Sequence, residues 1–275
     1  MGLVQSSAQK QYDQFRKLQK EQVLKDMELY RNHYPGYQDD PNLTENLRFY
    51  RNELPLKSVG LLIDELHEQW LGDFRKLEDN HDYIQWLFPT RSKTPNPNCQ
   101  QLQLHESQAI IADPDAYRRV FKSYKLMLDF FGIRLLDEDK GIVDRAGNWE
   151  SRFSNLDRSL HNALRITRIL KSLGELGYEH LKYPLLEFLL KEVLKNRTLP
   201  KLQDSLVSYW IHTLQDDNDR QFLMCVSDAV IDKYVPEHED LVKNRHPDTE
   251  DEEVRRQLRC ALIAATHARP SSGSL

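Results

Sequence analysis

The sequence predicts an all-α protein: an irregular multi-helix bundle with one main domain, a long N-terminal helix and an appended C-terminal helix. Three observations carry this prediction. Apolar residues recur at helical spacing, as Leu62, Leu66 and Trp70 do at i, i+4 and i+8, which gives each segment one apolar face. Alternation of apolar and polar residues never runs beyond a few positions, so no strand pattern competes with the helices. The 275 residues include only 10 Gly and 12 Pro, too few for a turn-rich β-sandwich.

Residues 1–40 form the N-terminal helical extension. From about Ser7 to His33 a thin stripe runs through Tyr12, Phe15, Leu18, Val23 and Met27, and Pro35-Gly36 ends it. A stripe this narrow makes a helix that docks weakly or pairs with a partner. The main domain spans 41–235. "LTENLRFYRNELP" reads as a short helix ended by Pro55, "SVGLLIDELHEQWLGDF" as an amphipathic helix, and "HDYIQWLFP" as a compact aromatic helix closed by Pro89. Pro95 and Pro97 make "TRSKTPNPNCQ" a loop.

Asp113 caps the next helix and Pro114 takes its first position. Its stripe is Tyr117, Val120, Phe121, Tyr124, Leu128 and Phe131, and Gly132 stops it. After a Gly- and Asp-rich stretch around Gly141 and Gly147, Asp157 is expected to cap "LHNALRITRILKSLGEL". Pro184 opens "LLEFLLKEVL", which is apolar almost all round. The helices around Leu164–Leu176 and Leu185–Leu194 have the widest apolar faces and are expected at the centre, with no sheet. Pro200 opens "KLQDSLVSYWIHTL", and Asp217 or Asp219 starts "RQFLMCVSDAVIDKY". Residues 236–275 read as an acidic linker, an appended helix and a disordered tail. There Thr249 with Glu252 forms a capping box ahead of the stripe Val254, Leu258, Leu262, Ala265.

Charge and cysteine usage narrow the function. A formal net charge of −5 gives no reason to expect nucleic acid. Cys99, Cys225 and Cys260 are far apart and form no CxxC pair, which fits a reducing, intracellular compartment. No apolar run approaches the ~20 residues that span a bilayer, and "MGLVQSSAQKQ" lacks a signal-peptide core. The sequons at Asn42 and Asn196 are then chance matches.

Enzyme signatures are missing. Glu78-x-x-His81 has the spacing of a di-iron ligand pair, but no second such pair and no HExxH occur. GxGxxG, GxxxxGK[ST] and GxSxG are absent, and Ser159 is only a sequence neighbour of His161. No catalytic residue, metal or cofactor is therefore assigned.

Two basic runs remain. Arg118, Arg119, Lys122 and Lys125 lie opposite an apolar stripe and read as a solvated face. Arg165, Arg168 and Lys171 recur every three residues among Leu164, Ile166, Ile169, Leu170 and Leu173. They are either semi-buried and paired with carboxylates such as Glu175 or Glu179, or they line a pocket for an anion or peptide terminus. The aromatic set Tyr83, Trp86, Phe88, Trp70, Trp149 and Trp210 reads as core, or in part as a groove edge. At the N-terminus, Met1-Gly2 with Ser6 fits the N-myristoylation pattern at Gly2, and Lys10, Arg16, Lys17 and Lys20 add weak attraction to anionic lipid. One acyl chain gives reversible, peripheral membrane contact.

The blocks "NLRFYRNELP", "NHDYIQWLFPTR", "YKLMLDFFGIRL" and "LRITRILKSLGELGYE" resemble the opioid growth factor receptor family, from about Asn46 to about Leu223. The resemblance implies a helical domain that binds an opioid peptide of the Met-enkephalin type and restrains cell growth. It also implies residence in the cytoplasm and at the nucleus or nuclear envelope. The family's Pro-rich C-terminal repeats are not in this sequence, and Arg255-Arg256 is too small for a nuclear-import cluster. No ligand contact is carried over from the family. The candidate ligand-binding set Arg165, Arg168, Lys171, Tyr83 and Trp86 rests on its own chemistry, cations beside an aromatic wall. The alternative is a non-enzymatic helical adaptor that binds a protein partner through its N-terminal or C-terminal helix at a membrane surface, with no opioid ligand.

Overall fold

Residues 21–92 and 99–231 are described by the structure, a computed structural model. Gly2, the start of the expected N-terminal helix and the expected helix after Thr249 lie outside them. The chain runs through α1 (21–31), α2 (Glu45–Tyr50), α3 (Ile63–Trp70), α4 (Phe74–Asp79), α5 (Tyr83–Leu87), α6 (Leu104–Ala112) and α7 (Pro114–Phe131). A hairpin of β1 (Ile133–Asp137) and β2 (Ile142–Arg145) follows. Then come α8 (Trp149–Arg158), α9 (His161–Glu175), α10 (Lys182–Leu190), the single turn α11 (Gln203–Ser205) and α12 (Asp217–Ile231). Among the described residues the architecture is all-α apart from that hairpin and one isolated bridge between Leu56 and Leu61.

The signals at the ends of α7 act as expected. The Asp113 carboxylate accepts from the backbone N–H groups of Asp115 and Ala116, and Pro114 sits in the first turn. Gly132 ends the helix at φ +78°. A Cβ there would also lie 2.9 Å from Trp149 Cα and 2.7 Å from Arg152 Cβ, so glycine lets α8 pack directly on the helix end.

Four local expectations are corrected. The antiparallel pair Ile133↔Arg145, Arg134↔Asp144 and Leu135↔Val143 was not expected. Its strands are too short for a period-two pattern to stand out, and a bulge after Leu135 breaks the alternation. Asp157 does not cap α9. It lies in the last turn of α8 and accepts from the Lys201 backbone N–H at 2.8 Å. Leu164 is 73% exposed and faces away from the core. The α10 helix opens at Lys182, which places Pro184 inside the first turn, where a missing N–H breaks no intrahelical bond.

The core centres on α9 and α10. Ile166, Ile169, Leu170 and Leu173 of α9 are buried with Leu185, Leu186 and Leu189 of α10. The α10 helix continues as a π turn over Lys191–Lys195, and a second π turn, Leu206–Trp210, follows α11. Trp210 is buried, its indole Nε1 donating to Ala163 O at 3.2 Å and Thr167 Oγ1 at 3.1 Å. Trp70, Tyr83, Trp86 and Phe88 are buried too. Trp149 is half-buried, with the Arg145 guanidinium 4.0 Å from its ring centroid.

One buried polar pair is expected to make the fold acid-sensitive. His67 Nε2 donates to Ser123 Oγ at 2.8 Å, and that hydroxyl donates to Arg119 O at 3.0 Å. Nδ1 is buried with no partner, and burial pushes the imidazole pKa down to about 4 from 6.5. The unfolded chain therefore binds a proton at His67 that the folded chain refuses between pH 6.5 and 4. Stability held above pH 6.5 should fall by up to about 3 kcal/mol across that window. Urea denaturation at both ends of the window should show a flatter pH dependence in His67→Gln than in the wild type. Equal slopes would remove His67 as the sensor.

Candidate functional site

The cations of α9 meet different partners from those the sequence suggested. Arg165 is buried at 5% exposure and caps the C-terminal end of α4. Nη1 donates to Leu77 O at 2.9 Å and Asn162 Oδ1 at 3.1 Å. Nη2 donates to Glu78 O at 3.2 Å and Asn80 O at 2.8 Å. The guanidinium also lies 5.5 Å from the Tyr83 ring centroid. Arg168 Nε donates to Phe88 O at 2.8 Å, and burial lowers its pKa to about 10. Both arginines thus ride on backbone carbonyls, and neither takes Glu175 or Glu179.

Those carboxylates belong to a groove at the C-terminal end of α9. Glu175 accepts from Arg91 through its backbone N–H and its Nε, both at 3.1 Å from Oε2, and from Tyr34 Oη at 3.4 Å. Burial raises the Glu175 pKa, against the pull of Arg91 and Lys171. Lys171 Nζ pairs with Asp26 at 2.8 Å and also contacts Ser92 Oγ. Lys182 is 0% exposed, with Nζ 2.6 Å from Glu179 Oε2 and 2.9 Å from Tyr30 Oη, and it donates to Thr213 O as well. Burial lowers its pKa to about 8, although Glu179 opposes the shift. The Gln215 N–H holds the other Glu179 oxygen at 2.9 Å.

The groove therefore gathers two ammonium groups, one guanidinium, three carboxylates and two phenols, of which Asp26 and Tyr30 come from α1, lying over it. Of the residues proposed from sequence, Lys171 lies in this groove, while Arg168 holds the chain at Phe88, three residues before Arg91. Arg165 and Tyr83 sit together beside α4, and Trp86 packs against Phe49 at 5.4 Å between ring centroids. Sequence reasoning missed Arg91, Tyr30, Tyr34 and Lys182. The one available signal was Gly174, a glycine inside a strongly amphipathic helix.

Other polar clusters are paired within the chain. Glu78 Oε1 pairs with His161 Nε2 at 2.7 Å, Glu78 Oε2 accepts from Asn155 at 2.7 Å, and His81 Nδ1 meets Arg165 Nη2 at 3.3 Å. Among the described residues, no three His, Cys, Asp or Glu side chains are grouped to hold a metal ion. His67 and Ser123 are not a nucleophile and its base. Ser123 is buried, and His67 Nδ1 has no carboxylate to orient it. On the basic face of α7, Arg119 is bidentate to Asp64 at 3.0 and 2.8 Å, while Arg118 and Lys125 form exposed pairs with Asp115 and Glu138. No helix among the described residues is long and apolar enough to cross a membrane.

Residues 39–243 match the conserved region of the opioid growth factor receptor. The chain is 46% identical over 204 residues to opioid growth factor receptor-like protein 1 of Mus musculus, covering 74% of this chain and 44% of that protein. The same protein of Xenopus tropicalis is 45% identical over 205 residues, covering 74% and 40%. The opioid growth factor receptor of Homo sapiens is 43% identical over 204 residues, covering 74% and 30%. The chain thus spans less than half the length of these relatives. No solved structure matches it. By the extent of the family match and by these identities, the chain belongs to the opioid growth factor receptor family.

Proposed function

We propose that the chain is a non-catalytic, receptor-like binding protein that takes an enkephalin-type opioid peptide and thereby restrains cell growth. The observation that carries this reading is the groove of Lys171, Glu175, Glu179 and Lys182 in a family whose members are named as opioid growth factor receptors. A short opioid peptide offers a terminal carboxylate, an amine and aromatic rings. With α1 and its Asp26 displaced, Lys171 suits the carboxylate, Glu175 the amine, and the space that Tyr30 fills a ring. A pocket with a few convergent charges on an apolar frame is the usual form of such a site. Arg168 holds the backbone at Phe88, three residues before Arg91.

The same reading places the protein in the cytoplasm and at the nucleus or its envelope, with an acyl chain on Gly2 giving reversible membrane contact. Calorimetry of the full chain tests the ligand. Met-enkephalin should give a saturable heat, and a scrambled peptide of the same composition should give none. Equal heats from the two peptides, or none from either, would reject the opioid ligand.

A further inference from the structure

The face that α1 turns inward is small and specific. Asp26, Met27 and Tyr30 contact the groove, Tyr34 follows just past the helix end, and Leu29 points outward. Beneath Tyr30 lies Gly174 of α9. A Cβ at that position would stand 2.0 Å from Tyr30 Oη, 2.6 Å from Glu179 Oε2 and 3.1 Å from Lys182 Nζ. The missing side chain is the hole through which the phenol reaches Lys182. Glycine inside a helix is otherwise disfavoured, so its presence here is explained by what it admits.

The ring above that hole lies between two cations, with Lys182 Nζ 5.1 Å and Lys171 Nζ 5.4 Å from its centroid. Lys171 also holds Asp26, one helical turn before Tyr30. Tyr34 lies one turn further on, bonded to Ser92 at 2.7 Å under the Arg91 guanidinium, which is 5.1 Å from its ring. The groove thus reads a carboxylate, then a phenol four residues on, then a second phenol after four more.

The occupant is joined to α2 by an exposed linker with left-handed backbone. Residues 35–43, which join α1 to α2, are exposed throughout, and Gly36 has φ +83°. His33 and Tyr34 stand at φ 56° and 54°, a left-handed conformation that bulky residues hold only while contacts enforce it. Undocking α1 would relax that backbone while Asp39, whose carboxylate accepts from the N–H groups of Leu104 and His105, keeps the linker on α6.

We propose that this groove is a recognition site for an acidic, tyrosine-bearing helix with Asp-x-x-x-Tyr spacing, that α1 is its resident occupant, and that a partner segment of the same pattern binds by displacing α1. The site shares its groove with the opioid reading but does not depend on it. Its partner is a helical protein segment, and its test uses no opioid peptide.

Hydrogen exchange on the full chain should show the amides of 21–34 exchanging at least about 100-fold faster than those of α9, through local opening. A labelled peptide copying residues 21–34 should bind the Tyr30→Ala chain roughly tenfold more tightly than the wild type, because the competent state is no longer occupied in cis. The same peptide carrying Tyr30→Ala should bind neither chain. Exchange of 21–34 only together with the core overturns the proposal. So does a Tyr30→Ala chain that captures peptide no better than the wild type. The exchange measurement needs no variant and decides the matter if Tyr30→Ala does not fold. A failed opioid titration leaves both results where they were.

Discussion

Glu106→Ala should destabilise the protein by roughly 3–5 kcal/mol, one of the two largest effects expected of a single side chain here. The Glu106 carboxylate is 0% exposed and has no basic partner among the described residues. It accepts instead from the N–H of Asn46 at 2.9 Å, Asn46 Nδ2 at 3.0 Å, the N–H of Leu47 at 3.2 Å, Gln100 Nε2 at 2.9 Å and the N–H of Gln103 at 3.0 Å. Asn46 and Leu47 are the second and third residues of α2, whose N-cap residue Thr44 makes no side-chain cap bond. A carboxylate from α6 thus caps a helix sixty residues earlier in the chain. Removing it strands buried donors on both elements, and each hydrogen bond to a charged acceptor is worth about 1.5–3 kcal/mol. Glu106→Gln keeps the shape but turns one acceptor into a donor facing other donors, so it should recover only part of the loss. Urea denaturation of the three proteins checks this. A Glu106→Ala midpoint within experimental error of the wild type would mean that α2 is held by packing alone.

Glu106 also shows where the sequence stops being informative. Locally it is the third residue of α6 and closes a capping box with Gln103. Nothing in the linear pattern connects it to Asn46. By contrast, α7 could be read from Asp113 to Gly132, because its cap, first-turn proline, apolar stripe and terminal glycine are all local. The basic spacing on α9 was legible for the same reason, but its partners were not. Arg165 and Arg168 bind backbone carbonyls of Leu77, Glu78, Asn80 and Phe88, and a carbonyl looks the same at every residue. The pairing of Lys182 with Tyr30 joins residues 152 positions apart, and only Gly174 hinted at the space between them. Periodicity reports which face of a helix is buried. It does not report what a charge on that face will meet.

Arg165→Ala should be the other large loss, about 3–5 kcal/mol, with Arg168→Ala costing less, about 1–2 kcal/mol. The difference follows from what each side chain satisfies. Arg165 spans the carbonyls of Leu77, Glu78 and Asn80 and the Asn162 side chain, so alanine leaves buried acceptors of the α4 terminus without donors. Arg168 contributes one bond, to Phe88 O, and its lowered pKa shows that burial already disfavours its charge. Losing that bond is partly offset by no longer burying a cation. Lysine should not rescue position 165, since one ammonium cannot reproduce a planar fork aimed at carbonyls in different directions. For a chain of this size the Arg165→Ala loss corresponds to a melting temperature lower by roughly 6–20 °C, against only a few degrees for Arg168→Ala. Wild-type melting in Arg165→Ala would show that the carbonyl cage contributes nothing to stability, and would return Arg165 to the set of side chains available to a ligand.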